Sequence, residues 1–355
     1  MSRFFSNKFA SLKAYVPGEQ PKERKYIKLN TNESPFPPSP SVIEAVKAEA
    51  GNLQLYSDPE CAMIVNEFAR LYGMSPKNVI MTNGSDEVLN FAFMAFSDKD
   101  HPIVFPDITY GFYPVFAALS GIPYEEIPLC EDFTVDYKQY VGIGKNIVIA
   151  NPNAPTGLSL ELWQIEEIVK SNPDNVVIID EAYVDFGGES AYPLVSKYDN
   201  LIVTGTFSKS RSLAGARLGF GIASEALIND LNTIKYSTNP YNVNRMTMIA
   251  GYRAVCDNEY YMDNCKKIIE NREYTKAELE KLGFNVLASK TNFLFCESDR
   301  IDGEELYLLL KERGILVRHF TVPRIKNFNR ITIGTRNDME TLVSEIEKIL
   351  KEKEQ

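Results

Sequence analysis

The sequence is poor in the residues that build metal centres and disulfide frameworks. It has only two histidines, His101 and His319, and its five cysteines are scattered without a CxxC pair. These numbers exclude a multi-histidine metal site and argue against a disulfide framework, and they fit a reducing compartment. We therefore expect no metal in the functional site.

Long apolar runs and an excess of positive charge are also missing. No run of about 18 apolar residues is present, and the N-terminal segment lacks the apolar stretch of a signal peptide. Acidic residues outnumber basic ones by 48 to 38, which gives a net charge of −10. Such a chain is a poor partner for nucleic acid or for an anionic membrane. We expect neither partner, and a cytoplasmic location.

The 355 residues, 44% of them hydrophobic, are enough for two domains. Several prolines and little periodicity indicate an extended N-terminal arm over residues 1–40. Over residues 41–245, short apolar strands alternate with helices, which is typical of an α/β domain with a mostly parallel sheet covered by helices. Residues 246–355 indicate a smaller α+β C-terminal domain. The helical spacing from about Asn242 to Lys281 predicts that this stretch includes a long helix.

Polar residues follow four of the predicted strands. TNGSDE follows NVIM, NPNAPTG follows NIVIA, DEAY follows NVVII, and TFSKS follows NLIVTG. Ligands collect outside the carboxyl ends of strands in open α/β sheets. Each pattern alone is common at solvated strand ends, but their joint occurrence in this order indicates one ligand site. The phosphate-loop and nucleophile-elbow motifs, G-x-x-x-x-G-K-[ST] and G-x-S-x-G, are absent from the sequence.

This combination resembles the fold-type I pyridoxal-phosphate (PLP) aminotransferases, and the resemblance covers nearly the whole chain. DEAY and the pattern SK-x(7)-R-x-G are typical of the wider family. The segments LNTNESPFPPSP and VRHF…NRITIGTR are similar to those of its histidinol-phosphate aminotransferase branch. The resemblance implies PLP as cofactor. It also implies transfer of an amino group from L-histidinol phosphate to 2-oxoglutarate, which gives imidazole-acetol phosphate and L-glutamate in histidine biosynthesis.

Three residues carry the catalytic roles that this resemblance implies. Lys209 lies at a strand end and matches the lysine whose amine forms an imine with PLP. Asp180 precedes it by 29 residues, at the end of the neighbouring strand, and matches the carboxylate that keeps the pyridine nitrogen protonated. Tyr183 matches the tyrosine that donates to the phenolic oxygen of the cofactor.

The resemblance implies further contacts to the cofactor. Its phosphate would lie at the start of a predicted helix, where backbone N–H groups and the helix dipole favour an anion. Asp86 is itself anionic, so its backbone rather than its side chain is assigned to this site. Tyr110 matches an aromatic that stacks on the ring, and Tyr56 matches a tyrosine that reaches the phosphate of the neighbouring subunit, which implies a homodimer with shared active sites. The residues assigned to the phosphate are Gly84, Ser85, Asp86, Thr206, Ser208 and Arg217.

One position departs from the family pattern. The loop usually reads N-P-x-N-P-T-G, and the asparagine before the second proline bonds the phenolic oxygen of PLP. Ala154 occupies this position here, and Asn153 lies one residue earlier. We expect Asn153 to contact the cofactor only if the loop is shifted. The loss of one neutral hydrogen bond costs about 1 kcal/mol, so the cofactor could still bind.

For the substrate, the resemblance implies an arginine clamp. Arg330 matches the arginine that grips a substrate carboxylate, and Arg318 lies 12 residues earlier at another strand end. Two such arginines suit the dianionic phosphate of histidinol phosphate. Arg336 competes for this role, and Tyr15 and Asn32 match positions that close over the substrate.

Three alternatives share the cofactor-binding fold. An aromatic or broad-specificity aminotransferase and a threonine-phosphate decarboxylase differ from this assignment in the groups that the two arginines contact. A PLP-fold sensor without turnover is disfavoured, because the chain is acidic and has no added DNA-binding domain.

Overall fold

The computed structural model describes residues 2–9, 12, 18–21 and 24–354, so Tyr15 of the predicted substrate site lies outside the described residues. The strands are β1 (Ile27–Lys28), β2 (Val79–Thr82), β3 (Ile103–Pro106), β4 (Tyr124–Ile127), β5 (Asn146–Ala150), β6 (Val177–Asp180), β7 (Leu201–Thr206), β8 (Gly219–Ala223), β9 (Asn285–Val286), β10 (Phe293–Glu297), β11 (Ile315–Leu316), β12 (Arg318–His319) and β13 (Asn329–Thr332). The α-helices are α1 (Pro40–Glu49), α2 (Ala62–Tyr72), α3 (Ser85–Phe96), α4 (Tyr113–Ser120), α5 (Leu162–Ser171), α6 (Glu225–Thr238), α7 (Arg245–Cys256), α8 (Asn258–Lys281), α9 (Gly303–Glu312) and α10 (Arg336–Lys353).

A seven-stranded sheet forms the larger part of the molecule, in the order β2-β8-β7-β6-β5-β3-β4. The strands from β7 to β4 pair in parallel, whereas β8 pairs antiparallel with both of its neighbours. The carboxyl ends of β2, β3, β5, β6 and β7 therefore meet at one edge, where β8 begins. This arrangement, with a smaller antiparallel sheet in the C-terminal part, confirms the predicted fold class.

The strands of the larger sheet are apolar throughout because helices cover both faces. In β5, Ile147 and Ile149 belong to the core under α2, α5 and α7, whereas Val148 and Ala150 belong to the core under α3, α4 and α6. Burial on both faces explains the continuous apolar run NIVIA. Among the described residues, no helix has both the length and the apolar character that crossing a membrane requires.

A second sheet, in the order β12-β13-β10-β9, is antiparallel throughout. Its core contains Leu279 of α8, Leu306 of α9 and Leu342 of α10, together with Ile331 of β13. Because Leu29 of the N-terminal arm also belongs to this core, the arm is anchored against the smaller sheet.

The N-terminal arm contributes a strand of its own. Strand β1 pairs in parallel with β11, so that Ile27 faces Ile315 and Lys28 faces Leu316. The segment ILVRHF is therefore divided, because β11 pairs with the arm and β12 pairs with β13.

The stretch from Asn242 to Lys281 contains the expected long helix, α8, but α7 precedes it as a separate helix. The helical structure is interrupted at Asp257, between α7 and α8. The carboxylate of Asp257 accepts a hydrogen bond from the Ser39 hydroxyl at 2.5 Å. This contact comes from the start of α1, more than two hundred residues away in the sequence, so local spacing does not report it.

Candidate active site

A cavity opens at the carboxyl edge of the seven-stranded sheet, where ligands of open α/β sheets collect. The sheet order brings together residues from five separate sequence segments. Nine of the predicted site residues line this cavity: Ser85, Asp86, Tyr110, Asp180, Tyr183, Thr206, Ser208, Lys209 and Arg217. A second, larger cavity shares Tyr110, Tyr183 and Lys209 with the first and extends toward the smaller sheet.

Asp180 ends β6 in the middle of the sheet, and its carboxylate is buried. The Tyr113 hydroxyl donates to Oδ2 at 2.9 Å, and the backbone N–H of Ala182 donates to Oδ1 at 3.3 Å. Burial nevertheless raises the pKa of Asp180 to about 6. A buried carboxylate of this kind suits a ligand that brings a positive charge. Tyr113 was missed at the level of sequence, and its signal was the second tyrosine of TYGFY.

Lys209 follows β7, and its ammonium group points to the arm and to Tyr183. The Nζ atom donates to the carbonyl oxygen of Thr31 at 3.2 Å and lies 5.9 Å from the centroid of the Tyr183 ring. The Tyr183 hydroxyl in turn accepts a hydrogen bond from Asn32 Nδ2 at 2.9 Å. The amine and the phenol therefore lie together on the wall that both cavities share.

The first turn of α3 forms one end of the first cavity. Gly84 precedes the helix with φ +80°, a conformation that glycine adopts without strain. Strand β8 begins directly against this turn, because a Cβ atom on Gly219 would lie 2.2 Å from the backbone nitrogen of Ser85. The N–H groups of a first helical turn have no partner within the helix, so this end of the cavity suits an anion.

Side chains add positive charge and hydroxyl groups at the same end. The Arg217 backbone is left-handed, with φ +56°, and its Nη2 lies 3.2 Å from Asp86 Oδ2. The Tyr110 hydroxyl donates to the other oxygen of Asp86 at 2.8 Å. The hydroxyls of Thr206 and Ser208 are 3.0 Å apart. A guanidinium and two hydroxyls therefore line this end of the cavity and could bind an anion there.

The side-chain amide of Asn153 does not face the cavity. Its Oδ1 accepts from the Thr109 hydroxyl at 2.7 Å, and its Nδ2 donates to the Ile108 carbonyl at 2.9 Å and to Thr156 Oγ1 at 3.0 Å. Ala154 lines the cavity instead. In this structure the Asn153 amide is used inside the loop, so a contact between Asn153 and the cofactor would require the loop to shift, as the sequence predicts.

Tyr56 lies on the surface, where its side chain is 80% exposed. Its ring stacks on Tyr241, with 4.7 Å between the centroids. Within one chain this position is separate from the residues that line the cavity, as expected if Tyr56 serves a neighbouring subunit.

Arg318 and Arg330 line the larger cavity and face each other across β12 and β13, as directly paired residues. Their guanidinium carbons lie 5.8 and 5.9 Å from the centroid of the Phe320 ring. Arg330 Nη2 also donates to the carbonyl oxygen of Asn30 at 3.1 Å. The structure places Arg336 elsewhere, where it pairs with Glu340 at 3.2 Å, so Arg336 does not join this pair.

Two other residues line the larger cavity. Asn32 lies there as predicted, and its amide is bonded to Tyr183 and to Thr332. Asp107, which directly follows β3, was missed. Its Oδ1 accepts from the backbone N–H of Leu129 at 2.9 Å. Its position after an apolar strand was the signal that could have identified it.

The wall as a whole fits PLP, the cofactor that the sequence resemblance implies. It offers an anion site at the start of α3, a buried carboxylate, a lysine amine and a tyrosine hydroxyl, all on one cavity. The asparagine of the family loop is the one donor that is replaced, by Ala154.

The chain is similar to known proteins in both sequence and fold. The sequence matches the family model for aminotransferase class I and II over residues 24–346. A relative from Brachyspira hyodysenteriae, named histidinol-phosphate aminotransferase, is 52% identical over 353 residues, which cover 99% of this chain and 100% of the relative. The solved structure of histidinol-phosphate aminotransferase from Sinorhizobium meliloti in complex with pyridoxal-5'-phosphate has a TM-score of 0.89 at 24% identity and covers 99% of both chains.

A second solved structure shows how far the fold alone distinguishes one activity from another. L-threonine-O-3-phosphate decarboxylase from Porphyromonas gingivalis has a TM-score of 0.80 at 18% identity, with 92% of this chain and 99% of that chain covered. The fold is therefore shared by transfer and decarboxylation enzymes, and the choice between them depends on the site residues and on the more similar sequences.

Proposed function

Because this chain belongs to the aminotransferase class I and II family, we propose that it transfers an amino group from L-histidinol phosphate to 2-oxoglutarate with PLP as its cofactor. The observation that carries the choice of substrate is the pair formed by Arg318 and Arg330, which face the cavity that contains Lys209. A phosphate dianion can neutralise two guanidinium groups, whereas an amino-acid carboxylate neutralises one.

The residues that would hold PLP divide by the part of the cofactor that they suit. The first turn of α3, together with Thr206, Ser208 and Arg217, suits the phosphate. Asp180 suits the ring nitrogen, and Tyr183 suits the ring oxygen. Bound PLP withdraws electrons from the substrate carbon that carries the amine, which allows that carbon to lose its proton.

Lys209 has two functions in this proposal. Its amine would hold the cofactor covalently until a substrate amine replaced it. The released amine would then take the proton from the substrate carbon that carries the amine and deliver it to the cofactor, as a general base and then a general acid. The Thr31 carbonyl, 3.2 Å from Nζ, keeps the amine at the wall that the two cavities share.

The substrate would extend from Lys209 into the larger cavity. Arg318 and Arg330 would bind the phosphate of histidinol phosphate, or one carboxylate of 2-oxoglutarate in the second half of the reaction. The carboxylate of Asp107 on the same wall suits the N–H of an imidazole ring.

We propose that the protein is a homodimer in which each subunit completes the site of the other. The support is a group of exposed apolar side chains next to Tyr56. Leu53 and Leu55 are each 56% exposed, and Tyr241 stacks on Tyr56. A second copy of the chain would cover these side chains and bring Tyr56 to its phosphate site.

The first test is the visible absorption of the PLP-loaded protein during titration with L-histidinol phosphate. We expect the band of the bound cofactor to change on addition of histidinol phosphate and to return on addition of 2-oxoglutarate. An unchanged band with histidinol phosphate, together with a change on addition of phenylalanine, would move the function to an aromatic aminotransferase. Release of CO2 from threonine O-phosphate would move it to a decarboxylase.

The arginine pair provides a second arm of this test. In Arg318→Ala we expect kcat/KM for histidinol phosphate to fall by about 100-fold, because one charge-assisted contact to the phosphate is lost. Arg336→Ala is the matched control, because Arg336 pairs with Glu340 at the start of α10. Equal losses in the two variants would contradict the assignment of Arg318.

A further inference from the structure

Residues 30–32, which we call the positioning segment, lie between the two sheets and are held by hydrogen bonds to both sides. Just before the segment, the backbone N–H of Leu29 donates to the Leu316 carbonyl at 2.8 Å, and the Leu29 carbonyl accepts from Thr332 at 2.9 Å. At its end, Asn292 Nδ2 donates to the Asn32 carbonyl at 3.0 Å. The position of the segment is therefore set on this side by the C-terminal part of the chain.

Each residue of the positioning segment contacts a different functional side chain. The Asn30 carbonyl accepts from Arg330, the Thr31 carbonyl accepts from Lys209, and Asn32 Nδ2 donates to the Tyr183 hydroxyl. The first two contacts use the backbone. Only the contact of Asn32 depends on its side chain, so Asn32 is the residue that substitution can test.

The hydrogen bonds around Asn32 determine the direction of its amide. The Asn32 backbone N–H donates to Thr332 Oγ1 at 3.0 Å, so the Thr332 hydroxyl has its own proton available for Asn32 Oδ1, 2.9 Å away. The amide nitrogen then faces Tyr183, at 2.9 Å from the hydroxyl oxygen. An amide N–H can only donate, so the Tyr183 oxygen accepts and its own proton points elsewhere.

We propose that Asn32 is a positioning residue that makes Tyr183 a hydrogen-bond donor toward the ring oxygen of PLP. This inference rests on the proposed function for the cofactor, but not for the substrate. Tyr183 lines the cofactor cavity, so its proton can point into that space. Because Ala154 replaces the donor of the family loop and the amide of Asn153 is used elsewhere, the direction of the Tyr183 proton has a larger effect here.

The backbone of Asn32 is consistent with this role. Its φ of +56° lies in the left-handed region, which asparagine and aspartate tolerate better than most residues other than glycine. The side chain is 1% exposed, so water does not compete for its amide. Asn32→Asp keeps the size and the backbone preference of the residue but replaces the donor with an acceptor.

The experiment is a pH titration of the visible absorption of the PLP-loaded protein. A hydrogen-bond donor at the ring oxygen of PLP withdraws electrons from the ring. It thereby lowers the proton affinity of the nitrogen through which Lys209 would be joined to the cofactor. In Asn32→Ala we expect the midpoint of this pH titration to rise by about one pH unit, which is a tenfold change in the proton affinity of that nitrogen. The midpoint should rise further in Asn32→Asp. Tyr183→Phe should raise it at least as much, and Asn32→Ala should add nothing to Tyr183→Phe, because both changes remove one interaction.

Asn30→Ala is the matched control, because Asn30 belongs to the same segment and contacts Arg330 through its backbone. We expect its midpoint to equal that of the wild type. A wild-type midpoint in both Asn32 variants would overturn the proposal, as would an additive shift in the double variant. If Asn32→Ala does not fold, the midpoints of Asn32→Asp and Tyr183→Phe still test the proposal. A protein that forms no visible band with PLP would refute the cofactor assignment, whereas a band that ignores histidinol phosphate would refute only the substrate.

Discussion

At the scale of single residues, Asp180 combines a function with a cost to stability. Its carboxylate is buried at the end of β6, and burial raises its pKa from 3.8 to about 6. The shift corresponds to about 3 kcal/mol that disfavours the charged form in the folded chain. Between about pH 4 and pH 6 the folded state retains a proton that the unfolded state releases. This contribution therefore lowers the free energy of unfolding as the pH rises through that range.

Asp180→Asn should for this reason stabilise the protein without cofactor. We expect a gain of up to about 3 kcal/mol at about pH 8 and little gain at about pH 4, measured by denaturant unfolding. The amide can keep the contact with Tyr113, because a tyrosine hydroxyl can accept as well as donate. Once PLP is bound, the gain should disappear, because the ring nitrogen supplies the positive charge that the wild-type carboxylate pairs with. Equal stability of the two unloaded proteins at about pH 8 would contradict this account.

Glu181 provides the matched control for this experiment. It is also buried, its carboxylate accepts from the Ala191 backbone at 2.6 Å, and burial raises its pKa to about 8. Asp180 lines the cofactor cavity, whereas Glu181 lines a different cavity. Glu181→Gln should therefore stabilise the protein with and without PLP, whereas the gain in Asp180→Asn should depend on PLP.

At the scale of elements, the cofactor end of the site depends on how closely β8 approaches the start of α3. Gly219 is the first residue of β8 and pairs with Thr82 and Thr206 on the two neighbouring strands. A Cβ atom at this position would lie 2.3 Å from the carbonyl carbon of Gly84. The close approach places the first turn of α3 beside the residues that follow β7.

Gly219→Ala should displace that turn and weaken the binding of PLP. We expect the Kd for PLP to rise by at least about tenfold, together with a lower Tm, because backbone atoms must move to admit the methyl group. Gly215→Ala is the control, since no described heavy atom lies within 4 Å of the Cβ position there. Unchanged PLP affinity in Gly219→Ala, measured by absorbance titration, would show that the approach of the two elements is not required.

Some of these elements could be predicted from the sequence, and others could not. Apolar strands that end in polar residues predicted the fold class and a ligand site at the strand ends, because strand periodicity and sheet geometry are local properties. The nine residues of the cavity wall were assigned from the resemblance to the family. The break at Asp257 and the division of ILVRHF into β11 and β12 could not be predicted, because each depends on a contact with the distant N-terminal arm. The orientation of Asn153 was missed for a similar reason, since its partners Ile108 and Thr109 lie after another strand.

The domain limits at residues 40 and 245 and the roles of the site residues remain predictions. The structure places β1 of the arm beside β11, and α7 begins at the second predicted boundary with Arg245.

At the scale of the whole molecule, the proposed dimer can be tested through its exposed leucines. Leu55→Asp should leave the fold intact, because the side chain is exposed in one chain, but it would place a charge in the proposed interface. We expect sedimentation to show dissociation at concentrations where the wild type is dimeric, with loss of activity as Tyr56 leaves the neighbouring site. Leu308→Asp is the control, since this leucine is 49% exposed on α9. A Leu55→Asp monomer with full activity would refute the shared site.

The positioning segment also determines which changes the chain can accept over evolutionary time. Two of its three contacts use carbonyl oxygens, which every amino acid possesses, so composition at those positions is a weak constraint. The length of the segment is a strong constraint. One residue inserted after Leu29 would shift the segment by one position, so that Arg330, Lys209 and Tyr183 would all lose their present hydrogen-bond partners. We therefore expect the number of residues after Leu29 to be constrained more strongly than the identities of residues 30 and 31.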